Sequence, residues 1–148
     1  MNILISGCLL GIGCRYDGKK KPLPEETLNL LKGRFNLIPV CPEQLGGLPT
    51  PRIPSERQGD RFIMADGTDV TENYRRGAKD ALYIAKLFNC NMALLKEKSP
   101  SCGCGLIYDG SFSKTLAEGD GMTAQVLKEN GVKVFGESQI KELLKTAT

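Results

Sequence analysis

Six cysteines and no histidine set the chemistry open to this chain of 148 residues. Without an imidazole there is no Ser-His-Asp or Cys-His nucleophile, no HExxH metal site and no His-ligated zinc. Thiols, carboxylates, hydroxyls, Lys, Arg and the backbone remain. The cysteines are Cys8, Cys14, Cys41, Cys90, Cys102 and Cys104. No pair has the Cys-x-x-Cys spacing from which a thioredoxin-like couple or a zinc knuckle takes two ligands in one short turn. They are too sparse for a disulfide scaffold, and a reducing compartment keeps them as thiols. Any site they share must be assembled by folding.

The elements that would assemble it can be read from periodicity. Short apolar runs at 2–6, 36–40, 92–96 and 132–135 are bounded by Gly, Pro or Asn and predict buried strands. Helical patterns follow them at 24–32, with Pro24 at the start and Gly33 past the end, at 71–89 behind a Thr71 cap, at 120–130 from Asp120 to Gly131, and at 138–145. Strand and helix alternate four times, which predicts an α/β fold: a Rossmann-like three-layer domain with a mainly parallel sheet flanked by helices. Two excursions interrupt the alternation. One, 42–70, is rich in Pro and Gly and contains Arg61-Phe62-Ile63-Met64. The other is a hairpin at 106–113 about Asp109-Gly110. No repeat or linker divides the chain, so 1–148 reads as one domain.

On that map Cys8, Cys41 and Cys102 each follow a predicted parallel strand. The carboxyl edge of an open α/β sheet is where ligands bind, because the loops there converge. Cys14 and Cys90 read as packing residues. Three converging thiolates without histidine suit two kinds of centre. Structural zinc would need a fourth ligand from Cys104, Cys14 or a carboxylate. A cubane iron-sulfur cluster held by three thiolates would keep one iron open as a Lewis acid. Residue types alone leave both alternatives standing.

Composition narrows the partners. Twenty Lys and Arg against 17 Asp and Glu give a net charge of +3, too small and scattered for a dedicated nucleic-acid surface, and Lys19-Lys20-Lys21 reads as a solvated turn. No apolar stretch nears the ~18 residues that span a bilayer, and no basic-then-apolar leader opens the chain. The expectation is a soluble cytoplasmic protein with a small-molecule partner.

Four segments resemble the DUF523 family, which contains the thiouracil desulfidases. They are Ser6-Gly7-Cys8-Leu9-Leu10-Gly11 with Arg15-Tyr16-Asp17-Gly18; Pro39 to Arg52 (PVCPEQLGGLPTPR); Ser99-Pro100-Ser101-Cys102-Gly103; and Gly119-Asp120-Gly121. They span the first strand to the last helix in the family's order. The resemblance implies a Rossmann-like domain and a [4Fe-4S] cluster held by Cys8, Cys41 and Cys102, with one open iron that takes sulfur from a thiolated pyrimidine without net redox change. Cys104 departs from the pattern: it stands where a small residue is expected, and could close the open iron. That would convert a desulfidase into a non-enzymatic metal- or cluster-binding protein.

Such a desulfuration needs water to attack the ring carbon and a group to take its proton while sulfur leaves. A carboxylate and a Lewis acid divide that work. Glu43, two residues after Cys41, is the carboxylate so placed, and a dry pocket would raise its pKa. Ser101, beside Cys102, could relay a proton or bind the ring. Gly46-Gly47 and Gly103 permit close approach to a flat ligand or cluster. Asp120 would cap a helix whose N-terminus could otherwise hold a phosphate, Arg52 offers an alternative phosphate or carbonyl contact, and Arg15 with Asp17 orders the first loop.

Overall fold

In the computed structural model, which describes residues 1–146, four parallel strands form the central sheet. They are β1 (Asn2–Ser6), β2 (Asn36–Val40), β5 (Met92–Leu95) and β8 (Lys133–Gly136), in the spatial order β2-β1-β5-β8. Each coincides with a predicted strand to within about one residue. Short antiparallel pairs lie outside the sheet: β3 (Ser55–Gln58) with β4 (Arg61–Met64), and β6 (Leu106–Tyr108) with β7 (Leu116–Glu118).

Successive strand residues face opposite ways, so each strand feeds two cores. Ile3, Ile5, Leu94 and Phe135 pack with Leu31 of α1 (Glu25–Arg34) and Leu143 of α5 (Ile140–Thr146). Leu4, Ala93, Leu95 and Val134 pack with Ala81 and Ala85 of α3 (Thr71–Leu87) and with Ala124 and Leu127 of α4 (Met122–Glu129). The result is the expected three-layer α/β sandwich. The chain turns left from β1 to β2 and later right to β5, so a switch point opens between β1 and β5 at the carboxyl edge. Among the described residues no helix is long and apolar enough to cross a membrane.

Several local expectations need correction. α1 runs through Gly33 to Arg34, with Leu31 buried against the core and Phe35, itself buried, as the C-cap. Thr71 is the first residue of α3 rather than its cap: Val70 is the N-cap, and Asp69 before it accepts from the Thr71 N–H at 2.9 Å and the Thr71 hydroxyl at 2.6 Å. The 106–113 hairpin does not turn tightly about Asp109-Gly110. β6 and β7 pair across a loop of residues 109–115, with Asp109 N–H bonded to the Thr115 carbonyl. Asp120 does not cap α4: its carboxylate accepts from Gly105 N–H at 2.8 Å and from Lys128 at 3.1 Å.

Candidate active site

The carboxyl edge carries a cavity of about 660 Å³ lined by Cys8, Cys14, Cys41 and Cys102, within the size range of small-molecule sites. Three elements place the predicted cysteines. Cys8 sits in the 3-10 turn Gly7–Leu10 that β1 enters directly. Cys41 is the residue before α2 (Pro42–Leu45), where Pro42 at the first helical position starts the turn and the Cys41 carbonyl accepts from Leu45 N–H at 2.9 Å. Cys102 lies in the Ser-Pro-Ser-Cys-Gly loop after β5. There Ser99 Oγ accepts from the N–H groups of Ser101 and Cys102, each at 3.1 Å, and the Ser99 carbonyl accepts from Gly103 N–H at 2.8 Å.

α4 fixes the same loop. The first amides of the helix donate to it: Met122 to the Pro100 carbonyl at 3.0 Å and Thr123 to the Ser101 carbonyl at 2.8 Å. The helix N-terminus is therefore filled by backbone oxygens and offers no phosphate site. A β-carbon on Gly121 would overlap the Ser101 backbone, which explains the glycine of Gly119-Asp120-Gly121 as a packing requirement. Ser101 is fully buried, with its hydroxyl 2.9 Å from Thr123 Oγ1 and within hydrogen-bonding reach of the Cys102 thiol; it is not among the residues lining the cavity.

Glu43 lines the cavity and is held at both oxygens. Oε1 pairs with Arg52 Nη2 at 3.2 Å, and Oε2 accepts from the Tyr74 hydroxyl at 2.6 Å. The Arg52 side chain is only 3% exposed and also donates to the carbonyls of Cys14 (3.1 Å) and Pro49 (3.2 Å). It is thus committed to this network, not free for a substrate phosphate. Burial first, and then the Glu43 carboxylate, push the Tyr74 hydroxyl far above its ordinary value, so Tyr74 stays a donor. Its ring stacks on Phe62 at 4.8 Å. The close crossing of α2 and α3 makes these contacts possible. A β-carbon on Gly46 would overlap the Asn73 carbonyl, and one on Gly77 would overlap the Pro42 carbonyl. Gly46 therefore serves helix contact, not ligand approach. Arg15 pairs with Asp17 at 3.2 Å on the rim, as expected.

The thiols respond to this setting. Burial pushes the Cys102 thiol up to about 12. The hydrogen bond with Cys14, and then burial, raise Cys41 much further, and the Glu43 charge acts in the same direction on both. Neutral thiols are the favoured state when nothing cationic lies beside them. Cys14, read from sequence as a packing residue, shares hydrogen bonds with both Cys41 and Cys8 inside the cavity. Cys104 goes elsewhere: it lies near Lys128, its Sγ is 3.9 Å from the Val134 carbonyl, and it does not line the cavity. Cys90 is buried in the core, as predicted. Tyr74 and Arg52 are the residues sequence reasoning missed or misassigned. Tyr74 falls on the apolar stripe of α3, where only its hydroxyl distinguishes it from a core residue.

Comparison with known proteins follows the same lines as the geometry. The sequence profile of 2-thiouracil desulfurase matches residues 3–139. This chain belongs to the 2-thiouracil desulfurase family (DUF523). It is 41% identical to the uncharacterised protein YbbK of Bacillus subtilis (strain 168), over 96% of this chain and 99% of that one. It superposes with a TM-score of 0.94 on the [4Fe-4S]-dependent thiouracil desulfidase TudS (DUF523Vcz), at 43% identity, covering 98% of this chain and 96% of that one. The fold thus has a solved counterpart of nearly the same backbone.

Proposed function

We propose that this chain, acting as one domain over 1–148, is a [4Fe-4S]-dependent desulfidase. It hydrolyses the C=S of a thiolated uracil base, nucleoside or nucleotide to C=O and releases hydrogen sulfide without net redox change. The observation that carries the reading is the set Cys8, Cys41 and Cys102 on three loops around one cavity, with Glu43 lining the same cavity. The donor set fits a cluster: Cys8, Cys41 and Cys102 come from three separate loops to line one cavity, and a cubane takes one thiolate per iron. The all-sulfur, histidine-free character of the set suits iron-sulfur chemistry equally.

Cys8, Cys41 and Cys102 would hold the cluster, which when bound supplies a Lewis-acidic iron for the departing sulfur. The chain's own residues do the rest. Glu43 accepts the proton of the attacking water at its carboxylate. Arg52 and Tyr74 fix the orientation of that carboxylate before the substrate arrives, so little reorganisation is needed during reaction. Ser101 supports the Cys102 sulfur and its loop through the Thr123 hydroxyl. The placement of Cys104 outside the cavity favours an open iron over a closed, non-enzymatic centre. A small thiolated pyrimidine in the cytoplasm, rather than a nucleic acid or a membrane, is the partner this reading requires.

The test is anaerobic reconstitution followed by iron and acid-labile sulfide analysis of the parent and of the Cys8→Ser, Cys41→Ser and Cys102→Ser variants. About four irons and four sulfides per chain in the parent, lost in each variant, support the reading; one zinc and no sulfide contradict it.

A further inference from the structure

The loop 109–115 between β6 and β7 closes one side of the cavity, and the desulfuration chemistry above makes no use of it. Phe112 in this loop lines the cavity, yet its φ of 58° puts a bulky residue in the left-handed region that favours glycine. Among the described residues four non-glycine positions have such a φ, and three of them, Lys98, Phe112 and Lys114, line this cavity. Strained backbone persists only where its surroundings over-determine it, and it gathers at ligand sites.

Glu56 of β3 supplies that determination. It is buried, at 9% exposure, and its Oε1 accepts the N–H groups of both Gly110 (3.0 Å) and Phe112 (3.1 Å). The Gln58 amide donates to the Gly110 carbonyl at 2.8 Å, so β3 fastens the loop through two side chains. A buried carboxylate committed to two backbone amides is a costly way to connect two three-residue strands. It is a sound way to hold one ring in a strained position against a cavity.

We infer that Phe112 is the face on which the planar ring of the substrate stacks, and that Glu56 is the positioning residue that holds it there. The inference rests on the thiopyrimidine reading above: a flat heteroaromatic ring is bound by offset stacking on an aromatic face, and the polar and sulfur atoms at its edge are left for the thiol side of the cavity.

The test compares cluster-loaded parent with Phe112→Gly, Phe112→Tyr and Glu56→Gln, using turnover of 2-thiouracil and calorimetric binding of uracil. Phe112→Gly should raise KM and the uracil Kd together by about 5- to 100-fold while kcat changes little, the range for losing one base-aromatic stack. Its melting temperature should stay close to the parent's, because glycine accepts the left-handed backbone without strain. Phe112→Tyr keeps the aromatic face and should restore binding, and Glu56→Gln should weaken it with iron content unchanged. Unchanged KM and Kd in Phe112→Gly, or a loss of melting temperature and iron content that accompanies the loss of binding, would overturn the inference while leaving the desulfidase reading intact. A parent that neither releases sulfide nor binds uracil would overturn both.

Discussion

Replacing Glu43 by Gln keeps the side chain's size but removes its charge and its capacity to take a proton. In the protein the carboxylate meets Arg52 at 3.2 Å and the Tyr74 hydroxyl at 2.6 Å. An amide can present only one oxygen, which must turn to Arg52 because the amide N–H₂ would repel a guanidinium. The Tyr74 hydroxyl must then turn so that its oxygen accepts and its proton points toward the buried Ser55 Oγ. Arg52 keeps its contacts to Cys14, Pro49 and Thr50. The structural loss is therefore about one charge-assisted hydrogen bond, roughly 2 kcal/mol, or about 4–8 °C in melting temperature for a domain of this size. The catalytic loss is larger: sulfide release from 2- or 4-thiouracil should fall by about a hundredfold or more. Iron content should match the parent, since no cluster ligand is touched. Anaerobic sulfide release, iron analysis and a thermal melt on the same preparation separate the effects. Release at the parent rate with intact iron would refute the assignment and move the base to Glu56 or Asp17, both of which line or flank the cavity.

Tyr74→Phe should leave the carboxylate paired with Arg52 but without its second restraint, slowing sulfide release by about tenfold, the equivalent of one lost hydrogen bond of about 1.4 kcal/mol, with KM nearly unchanged. Cys14→Ser and Cys104→Ser should retain about four irons per chain in the same iron analysis that Cys8→Ser fails, since neither supplies one of the three proposed ligands. Gly77→Ala should destabilise by about 2 kcal/mol or more, because its β-carbon overlaps the Pro42 carbonyl between two helices; chemical denaturation measures it. Thr71 and Arg61 hold the Asp69 carboxyl down to about 2, from an ordinary 3.8. Its folded pKa is depressed, so its contribution to stability is present above pH ~4 and is lost as pH falls toward ~2. Asp69→Asn should flatten that part of an acid-denaturation curve.

The sheet was legible because its strands are short apolar runs with clear boundaries, and a cysteine stands just past three of them. Topology then places those three thiols on one edge whatever the details of packing. The details that fix chemistry were less accessible. Glu43 could be placed by its spacing from Cys41, but not its partners: Arg52 arrives from the loop ahead of β3 and Tyr74 from α3, 31 residues away in sequence. The carboxylate expected in a dry pocket is paired with Arg52 and Tyr74. Cys14 and Cys104 exchanged their expected weight, since a loop after a 3-10 turn folds Cys14 back over Cys8 and Cys41 while Cys104 follows the backbone toward Val134. Asp120 and Thr71 resembled helix caps by position, yet tertiary contacts redirected both side chains.

The most direct test of the account is quantification of hydrogen sulfide and uracil from 2-thiouracil under anaerobic conditions, with cluster-loaded and cluster-free protein side by side. The loaded protein should give uracil and sulfide in equal amounts, with no added oxidant or reductant, and the cluster-free protein none above background. Equal rates from the two preparations, or a requirement for a redox partner, would contradict it.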